Sequence, residues 1–129
     1  FVPMLAAVAR EKGVSAFIGE GRNLWPAVHR LDAARVYRLA LERGAQGEAY
    51  HAVAEEGVPF RDIAEAIGRQ LGLPSSSLTP EDAQVHFGPL AVWVGNDGPA
   101  SNAWTRETLG WQPEQPGIVA DVEQPDYQG

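Results

Sequence analysis

The hydrophobic positions of this chain change period several times, and each change marks an element. Leu5, Val8 and Ala9 recur at helical spacing, which predicts a helix over residues 3–12 with Pro3 in its first turn and Gly13 as its stop. Val14 to Ile18 is an apolar run of strand length, and residues 19–23 form a glycine-containing loop. Residues 25–28 predict a second short strand, which Pro26 places at an edge or at a strand start. A long helix then runs to Gly44. Asp32 is its predicted N-cap, because a carboxylate there accepts free backbone N–H groups and favours the positive helix end. Ala33, Val36, Tyr37, Ala40 and Leu41 predict its apolar face, with Arg35, Arg38 and Glu42 opposite. Residues 49–54, centred on Tyr50 and Val53, predict a third strand that carries His51.

The next helix is the most strongly patterned. Phe60, Ile63, Ala64, Ile67 and Leu71 follow the 3.6-residue period over residues 59–71, Glu65 and Arg69 make an expected i,i+4 pair, and Gly72 and Pro74 end it. Ser75-Ser76-Ser77 is linker-like. Thr79 caps a further helix with Pro80 at its first position, and helical turns continue through Phe87 to Val94 with a break near Gly88-Pro89. Asn96-Asp97-Gly98-Pro99 predicts a turn. A short helix over 101–109 ends sharply at Gly110-Trp111-Gln112-Pro113. At most one short helix follows Pro116, and the tail from Gln124 is expected to fray. No internal repeat is present. Helices alternating with strands define an α/β class, but three short strands are too few for a complete dinucleotide-binding fold, which needs two βαβαβ halves.

Composition narrows the function classes. The chain has 129 residues, 44% of them apolar, which suits one globular domain. A formal charge of −7 disfavours contact with nucleic-acid phosphates and anionic membranes. There is no cysteine, which excludes disulfides and thiolate metal sites and is compatible with a cytoplasmic location. No apolar run approaches the roughly 20 residues of a membrane-spanning helix. The start, Phe1-Val2-Pro3-Met4, lacks an initiator Met and a signal-peptide pattern, so the chain is expected to be a piece or processed product of a longer protein.

Several catalytic signatures are missing. Gly19-Glu20-Gly21 is followed by Leu24 where a third glycine would stand, and no helix begins there, so it reads as a tight loop and not a phosphate cradle. The only lysine is Lys12, and no Tyr-x-x-x-Lys occurs. His29, His51 and His86 lack metal-ligand spacing, and no Gly-x-Ser-x-Gly elbow supports a hydrolase. His29 and Asp32 read as the hinge between a strand and a capped helix. The functional alternative places Asn23, Trp25 and His29 at the mouth of a pocket, because loops at strand ends carry sites in open α/β sheets, and its weight falls on Asn23 and Trp25.

Three ordered patterns carry a resemblance: His29-Arg30-Leu31-Asp32-Ala33-Ala34, then Tyr50-His51-Ala52-Val53 with a helix ending at Leu71-Gly72, then Leu109-Gly110-Trp111-Gln112-Pro113. In this order they resemble the extended short-chain dehydrogenase/reductase family, also called the NAD-dependent epimerase/dehydratase family. Trp25-Pro26-Ala27-Val28-His29 looks like a bacterial oxidoreductase-like branch. The resemblance implies the C-terminal portion of a Rossmann-type NAD(P)-binding fold, carrying a small, mostly helical substrate-binding lobe. It implies that NAD or NADP serves the full-length parent, that the glycine-rich loop and catalytic residues lie upstream, and that this chain alone binds no cofactor and is inactive. No catalytic residue is carried over. Asn23 and Trp25, with Arg22, match positions that face the substrate in relatives, and Trp104 and Arg106 are further substrate candidates. His29, Asp32 and Trp111 are a structural signature. Family members that act on sugar nucleotides often carry Arg-Asp-Tyr where this chain has Asn23-Leu24-Trp25, which points to a smaller, less charged substrate. The expected partners are a small-molecule substrate and either the missing N-terminal half or another copy of the chain in a homo-oligomer. The competing reading is a non-catalytic binding or cofactor-sensing module acting through protein contacts.

Overall fold

The computed structural model describes residues 1–44 and 47–127. Its elements run α1 (Val2–Lys12), β1 (Ser15–Ile18), β2 (Leu24–Ala27), α2 (Arg30–Arg43), β3 (Glu55–Pro59), α3 (Phe60–Leu71), β4 (Ser75–Leu78), α4 (Pro80–Phe87), a 3₁₀ turn (Gly88–Leu90), α5 (Ala91–Val94), α6 (Ala103–Leu109) and α7 (Ile118–Val122). The fold is mixed α/β, as expected. β1 pairs with β4 in parallel and β2 with β3 antiparallel.

Helix α3 is the centre of the main core. Its apolar stripe, Phe60, Ile63, Ala64 and Ile67, is almost fully buried, and each large member contributes about 1.5–3 kcal/mol by leaving water. Helices α1 and α4 and strand β1 close around it. The backbone of α3 comes close to the sheet because small residues face it. Ser15 donates its hydroxyl to the Ala64 carbonyl at 2.6 Å, and a Cβ on Gly68 would lie 2.6 Å from the Ser75 hydroxyl and 3.0 Å from the Leu73 carbonyl.

Several expectations need correction. Residues 75–77 are not a linker. They form β4, which pairs residue for residue with β1 from Ser15↔Ser75 to Ile18↔Leu78. Its serines are exposed, so hydrophobic patterning could not reveal it, and a polar edge strand is a usual defence against unwanted pairing. The third strand lies at Glu55–Pro59, not at 49–54. Tyr50, Ala52 and Ala54 are partly buried against a second core of Val36, Leu109 and Trp111, and Val53 is not part of that packing. That stretch, with His51, is not a strand. His51 Nδ1 lies 3.0 Å from the Ser101 carbonyl, and Asn102 donates to the Val53 carbonyl at 2.8 Å. Glu65 pairs with Arg61 at 2.7 Å rather than with Arg69, which reaches Glu123 just after α7. The tail is held as far as Tyr127: the Gln124 carbonyl accepts from Gln70 at 3.1 Å and from the Tyr127 N–H at 3.0 Å. The last two residues of that tail, 128–129, lie outside the described residues.

Helix α2 departs most from its predicted face. Val36 and Asp32 are buried, whereas Tyr37 is 72% and Leu41 90% exposed. The exposed stripe Ala34–Tyr37–Leu41 therefore has no cover from the rest of the described chain. Asp32 is also not the N-cap. The helix begins at Arg30, and His29 caps it by accepting the Leu31 N–H on Nδ1 at 3.2 Å.

His86, in the last turn of α4, packs edge-on against Phe87 with ring centroids 4.6 Å apart, and its Nε2 is buried without a hydrogen-bond partner among the described residues. Burial, and then the charge of Lys12, hold its pKa below the ordinary imidazole value.

Two predictions follow from this packing. Gly68→Ala is expected to destabilise by about 1–2 kcal/mol in urea titrations, because the clash at Ser75 and Leu73 outweighs the gain in helix propensity. A neutral stability change would show that α3 can move off the sheet at no cost. For His86, the depressed folded pKa means that the unfolded chain binds a proton first as pH falls. Stability is intact above the ordinary imidazole pKa and is lost as pH drops from there toward the folded value. His86→Leu should therefore gain on wild type at about pH 5 relative to about pH 8. An equal difference at both pH values would mean that the ring contributes no titration to unfolding.

Candidate functional site

The sequence motifs converge on two neighbouring regions. In the first, Asp32 is fully buried at the third position of α2, and its carboxylate turns onto the chain after α6. It accepts the Glu114 N–H at 3.0 Å and the Gln115 N–H at 2.9 Å. Trp111, also fully buried, donates its indole N–H to the Asp32 carbonyl at 3.1 Å. Arg35 ties the outside of the same knot, donating to the Gln112 carbonyl at 2.9 Å and pairing with Glu114 at 3.1 Å. Gly110, at φ 64°, turns the chain so that Trp111 can enter. Asp32 and Trp111 thus belong to one structural lock, and His29 caps the same helix just ahead of it.

Beside this lock is an open cleft of about 730 Å³, whose lining includes Val28, His29, Asp121 and Tyr127. His29 and Tyr127 do not provide a base in it. His29 Nδ1 is occupied by the helix cap, so the hydrogen of the neutral ring sits on Nε2, 3.6 Å from Asp121 Oδ1. Burial, with Asp121 adding to it, holds the Tyr127 phenol above its usual pKa, so it is a neutral hydroxyl near neutral pH.

The second region holds Asn23 and Trp25. Pro26 lies at a register irregularity in the β2–β3 ladder, where its missing N–H costs no ladder bond. The loop 96–98 seals the other edge of β2: Asp97 Oδ1 accepts the Leu24 N–H at 2.7 Å, and the Gly98 N–H reaches the Leu24 carbonyl at 3.0 Å. Asn23 spends both hydrogens of its amide on this loop, donating to the Val94 carbonyl at 2.9 Å and the Asn96 carbonyl at 2.8 Å. Trp25 Nε1 also donates to the Asn96 carbonyl, at 3.2 Å. The Trp25 ring stacks between Phe60 of the core, at 4.8 Å, and Phe1, at 4.9 Å. Phe1, Trp25, Pro26, Trp93 and Asn96 line a notch of about 230 Å³.

The other substrate candidates fall elsewhere. Arg22 is exposed and paired with Glu20 at 3.1 Å. Trp104, 55% exposed, and Arg106 stand on α6, which packs against α2. Trp93 and Phe1 were not singled out from sequence. The signal for Trp93 is the short-helix pattern Ala91-Val92-Trp93-Val94, in which Ala91 and Val94 are buried and the middle pair faces out.

The loop 19–21 was tested as a phosphate cradle, and it does not fit one. It leads into β2 rather than a helix. Gly21 is needed for packing, since a Cβ there would lie 2.6 Å from Arg61 Cβ and 2.9 Å from the Phe17 ring. Arg61 lies over that ring at 5.2 Å, and its hydrogen bond and ion pair with Glu65 hold its pKa above the ordinary value. Among the described residues, no group of three His, Asp or Glu side chains is placed to hold a metal ion, and no helix is long and apolar enough to cross a membrane.

No family model matches the chain. It is 49% identical over 122 residues to an uncharacterized protein of Saccharomyces cerevisiae, covering 95% of this chain and 41% of that protein. It is also 49% identical over 127 residues to an uncharacterized protein of Schizosaccharomyces pombe, covering 98% of this chain and 43% of that one. The chain thus spans about two fifths of the length of these relatives. Both are yeast proteins, which overturns the expectation of a bacterial branch. Among solved structures, the fold matches a dTDP-glucose 4,6-dehydratase from Bacillus anthracis in complex with NAD, with TM-score 0.66 and 17% identity over 95% of this chain and 36% of that one. It also matches RMD from Pseudomonas aeruginosa complexed with NADPH, with TM-score 0.62 and 16% identity over 95% of this chain and 40% of that one. At such identities the likeness shows the fold alone, and that fold is part of a Rossmann-like α/β architecture.

The Asp32 lock generates a prediction. Asp32→Ala is expected to cost about 2–4 kcal/mol, because it strands two backbone N–H groups in a buried setting, while Arg35 keeps Glu114 as its partner. Asp32→Asn keeps an acceptor oxygen and should lose less. Urea midpoints measure both, and hydrogen exchange at the Glu114 and Gln115 amides should accelerate in step. Unchanged exchange there would show that the segment is held by other contacts.

Proposed function

We propose that this chain is the substrate-binding, C-terminal part of an NAD(P)-dependent oxidoreductase or epimerase that acts on a small carbonyl or hydroxyl compound. One observation carries the reading: Trp25 is anchored in the core by Phe60 and opens at its other side onto a ligand-sized notch, beside Asn23. The likeness to NAD- and NADPH-complexed enzymes over 95% of the chain supports it. The described residues offer no cradle for a dinucleotide, so in this reading the cofactor belongs to a part of the protein outside this chain. Asn23 shapes the notch from behind by holding residues 94–96, and Trp25 supplies its wall. Trp104 and Arg106 are left out of the proposed site. The exposed Ala34–Tyr37–Leu41 stripe of α2 is where the remainder of the protein, or a second copy in a homo-oligomer, would be covered.

The chain alone, mixed with NADH or NADPH and a carbonyl panel, is expected to leave the cofactor unoxidised. A chimera in which it replaces the matching segment of the Saccharomyces cerevisiae relative is expected to turn over. Trp25→Ala in that chimera should raise KM about tenfold with a smaller change in kcat. Turnover by the isolated chain, or an active chimera indifferent to Trp25→Ala, would overturn the proposal.

A further inference from the structure

The notch is unusual in what it lacks. Its walls are Trp25, Trp93, Phe1 and Pro26, and Trp93 is 61% and Phe1 45% exposed, although burying such rings is favourable. The donors of Asn23 and Trp25 are turned away: both amide hydrogens of Asn23 and the indole N–H of Trp25 are committed to backbone carbonyls, which leaves the Trp93 indole and the Asn96 amide as the polar groups at the rim. The neighbouring cations are engaged by carboxylates, Arg22 by Glu20 and Arg61 by Glu65. The net charge of −7 adds a repulsive background for a polyphosphate. A volume of about 230 Å³ exceeds the roughly 150 Å³ in which an apolar cavity can hold a benzene ring, and falls below the usual range for a whole drug-sized ligand.

We infer that the notch is a subsite for one uncharged planar ring of the substrate, with Trp93 the residue that selects it. The inference rests on the proposed substrate edge at Asn23 and Trp25 and deepens it. The ring would stack on the Trp93 indole and meet Trp25 and Phe1 at its edges, arrangements that aromatic quadrupoles favour. A phosphorylated group would find no side-chain cation there that is not already paired with a carboxylate.

The test uses the four indole N–H resonances of the ¹⁵N-labelled chain, from Trp25, Trp93, Trp104 and Trp111. Acetophenone is expected to move those of Trp25 and Trp93 along a saturating curve and to leave exposed Trp104 and buried Trp111 in place. Trp93→Ala, at a surface position that carries little of the core, should weaken binding about tenfold, and Trp93→Phe should stay within about threefold of wild type. Uridine diphosphate glucose should move neither notch indole. Equal, non-saturating shifts at Trp104, or unweakened binding by Trp93→Ala, would overturn the inference. Saturable shifts of Trp25 by uridine diphosphate glucose, with none from acetophenone, would overturn the ring subsite and leave the substrate edge standing. Silence at Trp25 with both ligands would overturn the two together.

Discussion

A single buried carboxylate organises the C-terminal half of this chain. Asp32 sits in the first turn of α2, where the helix field favours a negative charge, yet its oxygens are directed at the amides of Glu114 and Gln115. A buried charge is tolerable only when hydrogen-bonded, so the segment 111–115 must lie where Asp32 can reach it. That requirement places Trp111 under the start of α2 and α6 against its side. Glu55 and Glu56 repeat the device. Glu55 accepts the Ile118 N–H at 2.7 Å at the start of α7, and Glu56 accepts the Asn102 N–H at 3.0 Å before α6. Three acidic side chains thus satisfy amides of a long, irregular stretch that has no ladder of its own. These three of the chain's 17 acidic residues are structural.

This division of labour explains what could be read from sequence and what could not. Helix α3 was legible because its stripe is buried on one side only and ends in a left-handed glycine at Gly72, φ 67°. The capping of α4 by Thr79 was legible for the same local reason, its hydroxyl accepting the Asp82 N–H at 3.1 Å. Strand β4 was not, since its stability comes from backbone pairing with the distant β1 and its serines carry no hydrophobic signal. Asp32 was misassigned because capping preference is a local rule, and here a contact 82 residues away decides where the carboxylate points. Among the site residues, Asn23 and Trp25 are brought to one place. The place of Trp93 in the notch lining was hard to read, because in a four-residue helix the only signal is that Ala91 and Val94 turn inward and Trp93 outward.

The exposed stripe of α2 follows from the same geometry. An amphipathic pattern of Val36, Tyr37, Ala40 and Leu41 would ordinarily bury one face. The lock at Asp32 rotates α2 so that Val36 points into the second core and Tyr37 and Leu41 point outward. The stripe is therefore apolar and uncovered for a reason internal to the chain. Its composition still suits a covered face, in keeping with relatives more than twice as long.

The notch and the lock also constrain each other. Residues 94–98 hold β2 through Asn23 and Leu24, and residues 98–102 run on along β3, where the Ala100 N–H meets the Glu56 carbonyl at 2.9 Å. Any rotation of α5 that moved Trp93 would pull on the loop pinned to β2, and a shift of β2 would displace His29 at the start of α2. Ligand contact at Trp93 and the packing of Trp111 are thus linked through β2 rather than through a direct contact. Because Asn23, Leu24 and Trp25 are all hydrogen-bonded to residues 94–98, the walls of the notch are set by the fold. A ligand entering such a site would lose little to rearrangement.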